Sequence, residues 1–100
     1  MILKESDKWA DLHIHTRKSD GTNTVEEVFQ RAKESGLEAI AITDHDTIAG
    51  VPEGLEMSVK YGVKFVPGIE LSAIYNGKEI HIVALFIDWK NQEFVKKLTY

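Results

Sequence analysis

A strand-like alternation runs from Trp9 to His15, with Ala10, Leu12 and Ile14 on one face and Asp11, His13 and His15 on the other. That period of two predicts a strand. After an Asp20-Gly21 loop, Thr24-x-x-Glu27 reads as a capping box opening a helix, with Val25, Val28, Phe29 and Ala32 as its inward stripe and Gly36 as its stop. The run EAIAIT, residues 38–43, has the short, continuously apolar character of a strand covered on both faces in a parallel sheet. A second helix is predicted over Pro52 to Tyr61, with Leu55 and Val59 inward and Gly62 ending it. VKFVPG then returns as a strand. IELSAIY and KEIHIVALF follow as two strand-like runs around Asn76-Gly77, the pair favoured in a type I′ hairpin turn. The closing NQEFVKKLTY is helix-like, with Phe94, Val95 and Leu98 on one side, and stops at Tyr100 without a capping signal. Strands alternating with helices predict an α/β fold built on parallel strands.

Composition narrows the class of protein. A chain of 100 residues, 43% hydrophobic and 28% charged, is expected to form a single domain over residues 1–100 with a core of its own. The formal charge of −4 carries no basic patch, so nucleic acid is not expected to be held by surface charge. A nucleotide substrate stays open, because a bound cation can supply the positive charge. The absence of cysteine excludes disulfides and thiolate metal sites and fits a reducing compartment. Lys4, Glu5, Asp7 and Lys8 interrupt the N-terminal stretch where a secretory signal needs an apolar run, and the longest apolar run, Ile82 to Ile87, is too short to span a membrane. The expectation is a soluble, cytoplasmic chain.

The polar face of the first strand then poses a chemical question. His13 and His15 at i and i+2 project the same way, about 6.5–7 Å apart at their backbones, so their imidazoles can converge on one ion. Asp11 on the same face would satisfy a histidine ring from behind the ion. The hairpin supplies an independent site: counting back from the turn sets Ser72 opposite His81, which makes Glu70 and His81 diagonal neighbours on one face. His45 lies just past the C-terminal end of a buried strand, the edge at which α/β sheets bind ligands. Asp46 or Thr47 beside it reads as a cap for the next helix, and Asp20 reads equally as a ligand or a turn residue. All four histidines fall on predicted strands or at their ends.

Four segments, DLHIHTRKSDG, AITDHDTIAG, PGIELSA and HIVALFID, resemble in order and spacing the N-terminal motifs of the PHP (polymerase and histidinol phosphatase) family. The likeness is strongest to its stand-alone metal-dependent phosphoesterases, which act on nucleotides and on short or 5′-phosphorylated RNA ends. It runs from about Trp9 to Trp89. The resemblance implies the N-terminal part of a distorted (β/α)7 barrel with two or three divalent metal ions at the C-terminal face of its strands. It implies that His13 and His15 hold one ion, that Glu70 bridges to a second held also by His81, and that Asp20 and His45 hold a third. It implies phosphoester hydrolysis by a metal-activated hydroxide, with Asp11 orienting a histidine and Arg17 meeting a substrate phosphate. Such ligands suit manganese, zinc and iron alike.

Family members are roughly twice as long and draw further ligands from a later histidine and a C-terminal Asp-x-His motif, whereas no histidine follows His81 here. The chain is therefore expected to be an N-terminal piece with weak two-metal turnover that self-associates through exposed barrel edges. A catalytically inactive metal-binding module is the alternative. An amidohydrolase reading lacks a metal-ligating lysine on a middle strand.

Overall fold

The chain builds one five-stranded sheet in the order β1-β2-β3-β4-β5. Its strands are β1 (Ile2–Glu5), β2 (Lys8–Ile14), β3 (Ala39–Ile42), β4 (Lys64–Tyr75) and β5 (Lys78–Leu85), and its helices are α1 (Val25–Glu34), α2 (Val51–Tyr61) and α3 (Gln92–Leu98). The computed structural model describes residues 2–5 and 8–98. Helices α1 and α2 carry the chain from β2 to β3 and from β3 to β4, and those three strands run parallel, as the alternation of elements predicts. β1, too rich in charge to read as a strand, pairs antiparallel with β2, and the Lys4 ammonium lies 4.8 Å from the centre of the Trp9 ring.

Two expected strands prove to be one. Lys64–Pro67 of β4 pairs parallel with β3, and from Gly68 onward the same strand pairs antiparallel with β5. The hairpin register is the one counted from its turn, with Tyr75 opposite Lys78 and Ser72 opposite His81. Asn76 and Gly77 take φ values of 52° and 75°, the positive pair that a type I′ turn requires.

The capping box forms: Thr24 Oγ1 accepts from the Glu27 amide at 3.1 Å, and the Glu27 carboxylate accepts from the Thr24 amide at 3.0 Å. It starts α1 so that Val25, Val28, Phe29 and Ala32 meet Ile40 and Ile42 of β3 and Val63, with Phe65 packed against them at 5.9 Å from the Phe29 ring. β3 is buried on both faces, as expected. α2 corrects the sequence reading. Leu55 and Val59 point outward, 39% and 87% exposed, while Val51 and Gly54 face in. A β-carbon at Gly54 would lie 2.5 Å from the Phe65 ring, so the helix seats its smallest residue against the sheet, a choice hydropathy does not register. Neither Asp46 nor Thr47 caps α2; Gly50 holds the cap position with Pro52 in the first turn, and Thr47 Oγ1 accepts from the Ala49 amide.

A second correction concerns β2. Asp11 lies opposite Ile40 and Ile14 opposite Ile42, so three steps of β2 match two of β3. This bulge breaks the alternation and turns Asp11 toward α1, where it shares a cleft with Ile14, Val28 and Arg31, away from the face of His13 and His15. In α3, Phe94, Val95 and Leu98 are the half-buried side; the stop at Tyr100 lies outside the described residues. Among the described residues, no helix is long and apolar enough to cross a membrane.

Candidate metal centre

Each polar side chain of the centre arrives from the C-terminal side of a parallel strand or from the hairpin beside it. His13 and His15 come from the end of β2, Asp20 from the turn that follows, His45 from just past β3, Glu70 from β4 and His81 from β5. Glu70, 6% exposed, is the hub. Its Oε1 lies 2.6 Å from His13 Nε2 and 2.8 Å from His15 Nε2. Its Oε2 lies 3.1 Å from His81 Nδ1 and 3.7 Å from His45 Nδ1. Asp20 joins the other side, with Oδ1 2.8 Å from His15 Nδ1 and Oδ2 3.2 Å from His45 Nε2. The His15 and His45 rings meet edge to face at 4.4 Å.

Three groups of convergent donors result: His13, His15 and Glu70; His15, Asp20 and His45; and His45, Glu70 and His81, with the donor atoms of each group within 4.8 Å of one another. All six ligand candidates read from the sequence are brought together. Donor counting tests whether cations fit. His15 presents both ring nitrogens to carboxylates, and so do His45 and His81, the last through Glu70 and through Glu79 at 3.3 Å. A neutral imidazole owns one N–H, so one nitrogen of each ring would face an oxygen lone pair to lone pair. A second proton on each ring or a cation between nitrogen and carboxylate removes that conflict, and imidazole with carboxylate is a donor set for divalent transition metals.

Burial pushes the Glu70 carboxyl up, but hydrogen bonds from His13 and His15 and the charges of His45 and His15 outweigh it and hold the group below the usual glutamate range. Desolvation likewise opposes ionisation of Asp20, and contact with His15 and His45 prevails to keep it low. Both carboxylates are held in the form that ligates.

Two other candidates sit differently. Asp11 Oδ1 accepts from the His13 amide at 3.2 Å, so it grips the main chain at the bulge. Arg17 is exposed and gives its Nε–H to the Thr22 carbonyl at 2.8 Å. What the sequence reading missed is the support: Thr16 and Asp44, 0% and 1% exposed, are buried polar residues between the ligand-bearing segments. The signal available was three polar residues in succession, Thr43, Asp44 and His45, ending an apolar strand.

A model of the PHP domain family matches residues 11–99. The 5′-3′ exoribonuclease Rnm of Salmonella typhimurium is 45% identical over 80 residues, which cover 78% of this chain and 27% of that protein. The phosphoribosyl 1,2-cyclic phosphate 1,2-diphosphodiesterase of Eggerthella lenta is 41% identical over 80 residues, 78% of this chain and 30% of that protein. A solved structure from Bifidobacterium adolescentis, assigned as a metal-dependent phosphoesterase, superposes with a TM-score of 0.84 at 35% identity over 89% of this chain and 31% of its own. The chain thus spans about 30% of the length of the relatives it matches.

Proposed function

Because this chain belongs to the PHP domain family, we propose that it carries the N-terminal ligands of a metal-dependent phosphoesterase acting on nucleotides or 5′-phosphorylated nucleic acid ends. The observation that carries the reading is the division of the Glu70 carboxylate, one oxygen to His13 and His15 and the other to His45 and His81. A single buried carboxylate shared between two histidine pairs is the arrangement that sets two cations side by side. Cations held there would neutralise phosphoryl oxygens and activate water.

The chain's own residues define what such a substrate would meet. Glu70 and Asp20 fix the spacing between the donor groups, and His15 and His45 are each shared by two groups, so none of the three sites is independent of the others. Arg17, exposed on the turn that carries Asp20, is the proposed phosphate contact. The names of the relatives, an exoribonuclease and a cyclic phosphate diphosphodiesterase, support a phosphoester of nucleotide type. Self-association belongs to the same reading, since β5 is an edge strand whose Ile80 and Ile82 are 41% and 49% exposed.

Elemental analysis of the chain, purified without chelator beside a His13→Ala/His15→Ala double variant, tests the reading. Manganese, zinc or iron retained by the parent and lost from the folded double variant is the expected result, with metal-dependent release of p-nitrophenol from a generic phosphoester as the activity arm. A folded parent without metal, which gains none when it is supplied, overturns it.

A further inference from the structure

The triplet Asp44-His45-Asp46 places two carboxylates against a ligand, and neither enters any of the three convergent donor groups. We propose that both are positioning residues, each fastening the His45 segment to a different ligand-bearing strand. The inference rests on the metal reading above and assigns work within that centre.

Asp44 reaches backward. Its Oδ1 accepts from the Thr16 amide at 2.6 Å and from Ser19 Oγ at 2.7 Å, and its Oδ2 accepts from Thr16 Oγ1 at 2.7 Å. Thr16 and Ser19 lie between His15 and Asp20, so one buried carboxylate holds the turn on which two ligands sit. Inside that turn the Thr16 carbonyl accepts from the amides of Ser19 and Gly21 at 3.1 and 2.8 Å. Three donors compensate the burial of the charge, which would otherwise be costly.

Asp46 reaches forward. Its φ of 53° lies in the left-handed region, which Asp and Asn are among the few non-glycine residues to tolerate. The Glu70 amide donates to the Asp44 carbonyl at 3.0 Å, the Asp46 amide donates to the Glu70 carbonyl at 3.0 Å, and Asp46 Oδ1 accepts from the Ser72 amide at 2.8 Å. The side-chain oxygen therefore takes the place of the next strand carbonyl and extends the β3–β4 pairing past Ile42. It fixes His45 opposite Glu70 and holds Ser72, the residue opposite His81.

Acceptor geometry, not charge, is what both positions need, so asparagine serves where alanine does not. An Asp46→Asn side chain keeps an oxygen for Ser72 and tolerates the positive φ. In Asp44→Asn the amide carbonyl keeps the Thr16 and Ser19 donors, and the Thr16 hydroxyl reverses to accept from the new NH2 group.

Zinc affinity of the full chain, measured by competition with a chromophoric chelator, is the first readout. Asp46→Asn and Asp44→Asn are expected within about threefold of the parent, and Asp46→Ala weaker by about 10–100-fold, the usual cost of losing a group that orients a ligand. Zinc binding lost equally in Asp46→Asn and Asp46→Ala overturns the proposal, because charge or direct ligation would then be at stake. Hydrogen exchange of the Ser72 amide in the zinc-free protein is the second readout: protected in the parent and in Asp46→Asn, faster in Asp46→Ala. Equal exchange in all three overturns the proposal. A parent that binds no zinc overturns the metal reading and leaves the exchange pattern to decide this one.

Discussion

Replacing Gly21 by alanine should damage fold and centre together, and the size of the effect follows from contacts. A β-carbon there would lie 2.3 Å from the His15 carbonyl oxygen, 2.5 Å from its carbon and 2.8 Å from the Thr16 nitrogen. All three are main-chain atoms, and Thr16 is clamped by Asp44, so no flexible side chain can swing aside. Ordinary contact begins at 3.4 Å, so the turn must open by roughly 3.4 − 2.3 = 1.1 Å. The φ of Gly21 lies outside the left-handed region, so crowding and not backbone strain sets the cost. Forced overpacking of this kind costs about 1–3 kcal/mol. At about 4–8 °C per kcal/mol for a domain of this length, a loss of about 2 kcal/mol lowers Tm by roughly 8–16 °C. The same displacement pulls Asp20 from His15 Nδ1, now at 2.8 Å, and from His45 Nε2 at 3.2 Å, so zinc affinity should fall as well. Thermal unfolding by circular dichroism and zinc competition measure the two effects. A variant melting within about 2 °C of the parent with undiminished affinity would refute the reasoning, because that turn would have proved compliant.

Two further outcomes are expected. Phe29→Ala, at a fully buried position between α1 and β3, should cost about 3–5 kcal/mol in urea unfolding, a large part of a domain's stability, and a loss below about 1 kcal/mol would mean the core lies elsewhere. Hydrogen bonds from Lys60 at 2.5 Å and Tyr61 at 2.7 Å hold the Glu26 carboxyl below its ordinary range, and the partner carboxylate raises Lys60. A depressed carboxyl stabilises the fold above its unfolded pKa and loses that contribution as pH falls through the folded value; the raised Lys60 loses its own as pH rises through its folded value. Glu26→Gln should therefore flatten both limbs, and an NMR titration in which Glu26 shifts at the ordinary midpoint would contradict this.

The sequence was legible where one local rule governed. The capping box at Thr24, the hairpin register and the pairings of His13 with His15 and of Glu70 with His81 each follow from short spacings that tertiary packing did not override, whereas the order of the strands brings the two pairs together. It was illegible where packing chose among local options. Leu55 and Val59 lost the inward face of α2 to Gly54 because Phe65 left room for no side chain. The bulge that leaves Asp11 on the α1 side with Ile14 lies inside a run whose residue types still alternate, so alternation could not reveal it. Asp46 looked like a helix cap because caps and strand-extending carboxylates draw on the same residue types, and only the position of Ser72 separates them.

The place of Glu70 in β4 accounts for its double reach. Up to Pro67 the strand is bonded to β3, and from Gly68 it is bonded to β5. Glu70 lies just beyond that exchange of partners, with the His45 loop still following on one side and β5 already present on the other. A carboxylate there meets ligands delivered by a parallel neighbour and by an antiparallel one. One residue earlier or later along β4 the side chain would project from the opposite face. Two residues later, at Ser72, it would stand directly opposite His81 but about 7 Å further along the strand from His13 and His15. Two residues earlier, at Gly68, a β-carbon would lie 2.8 Å from Thr43 Cγ2, so the place of the glutamate follows from where the sheet changes from parallel to antiparallel pairing.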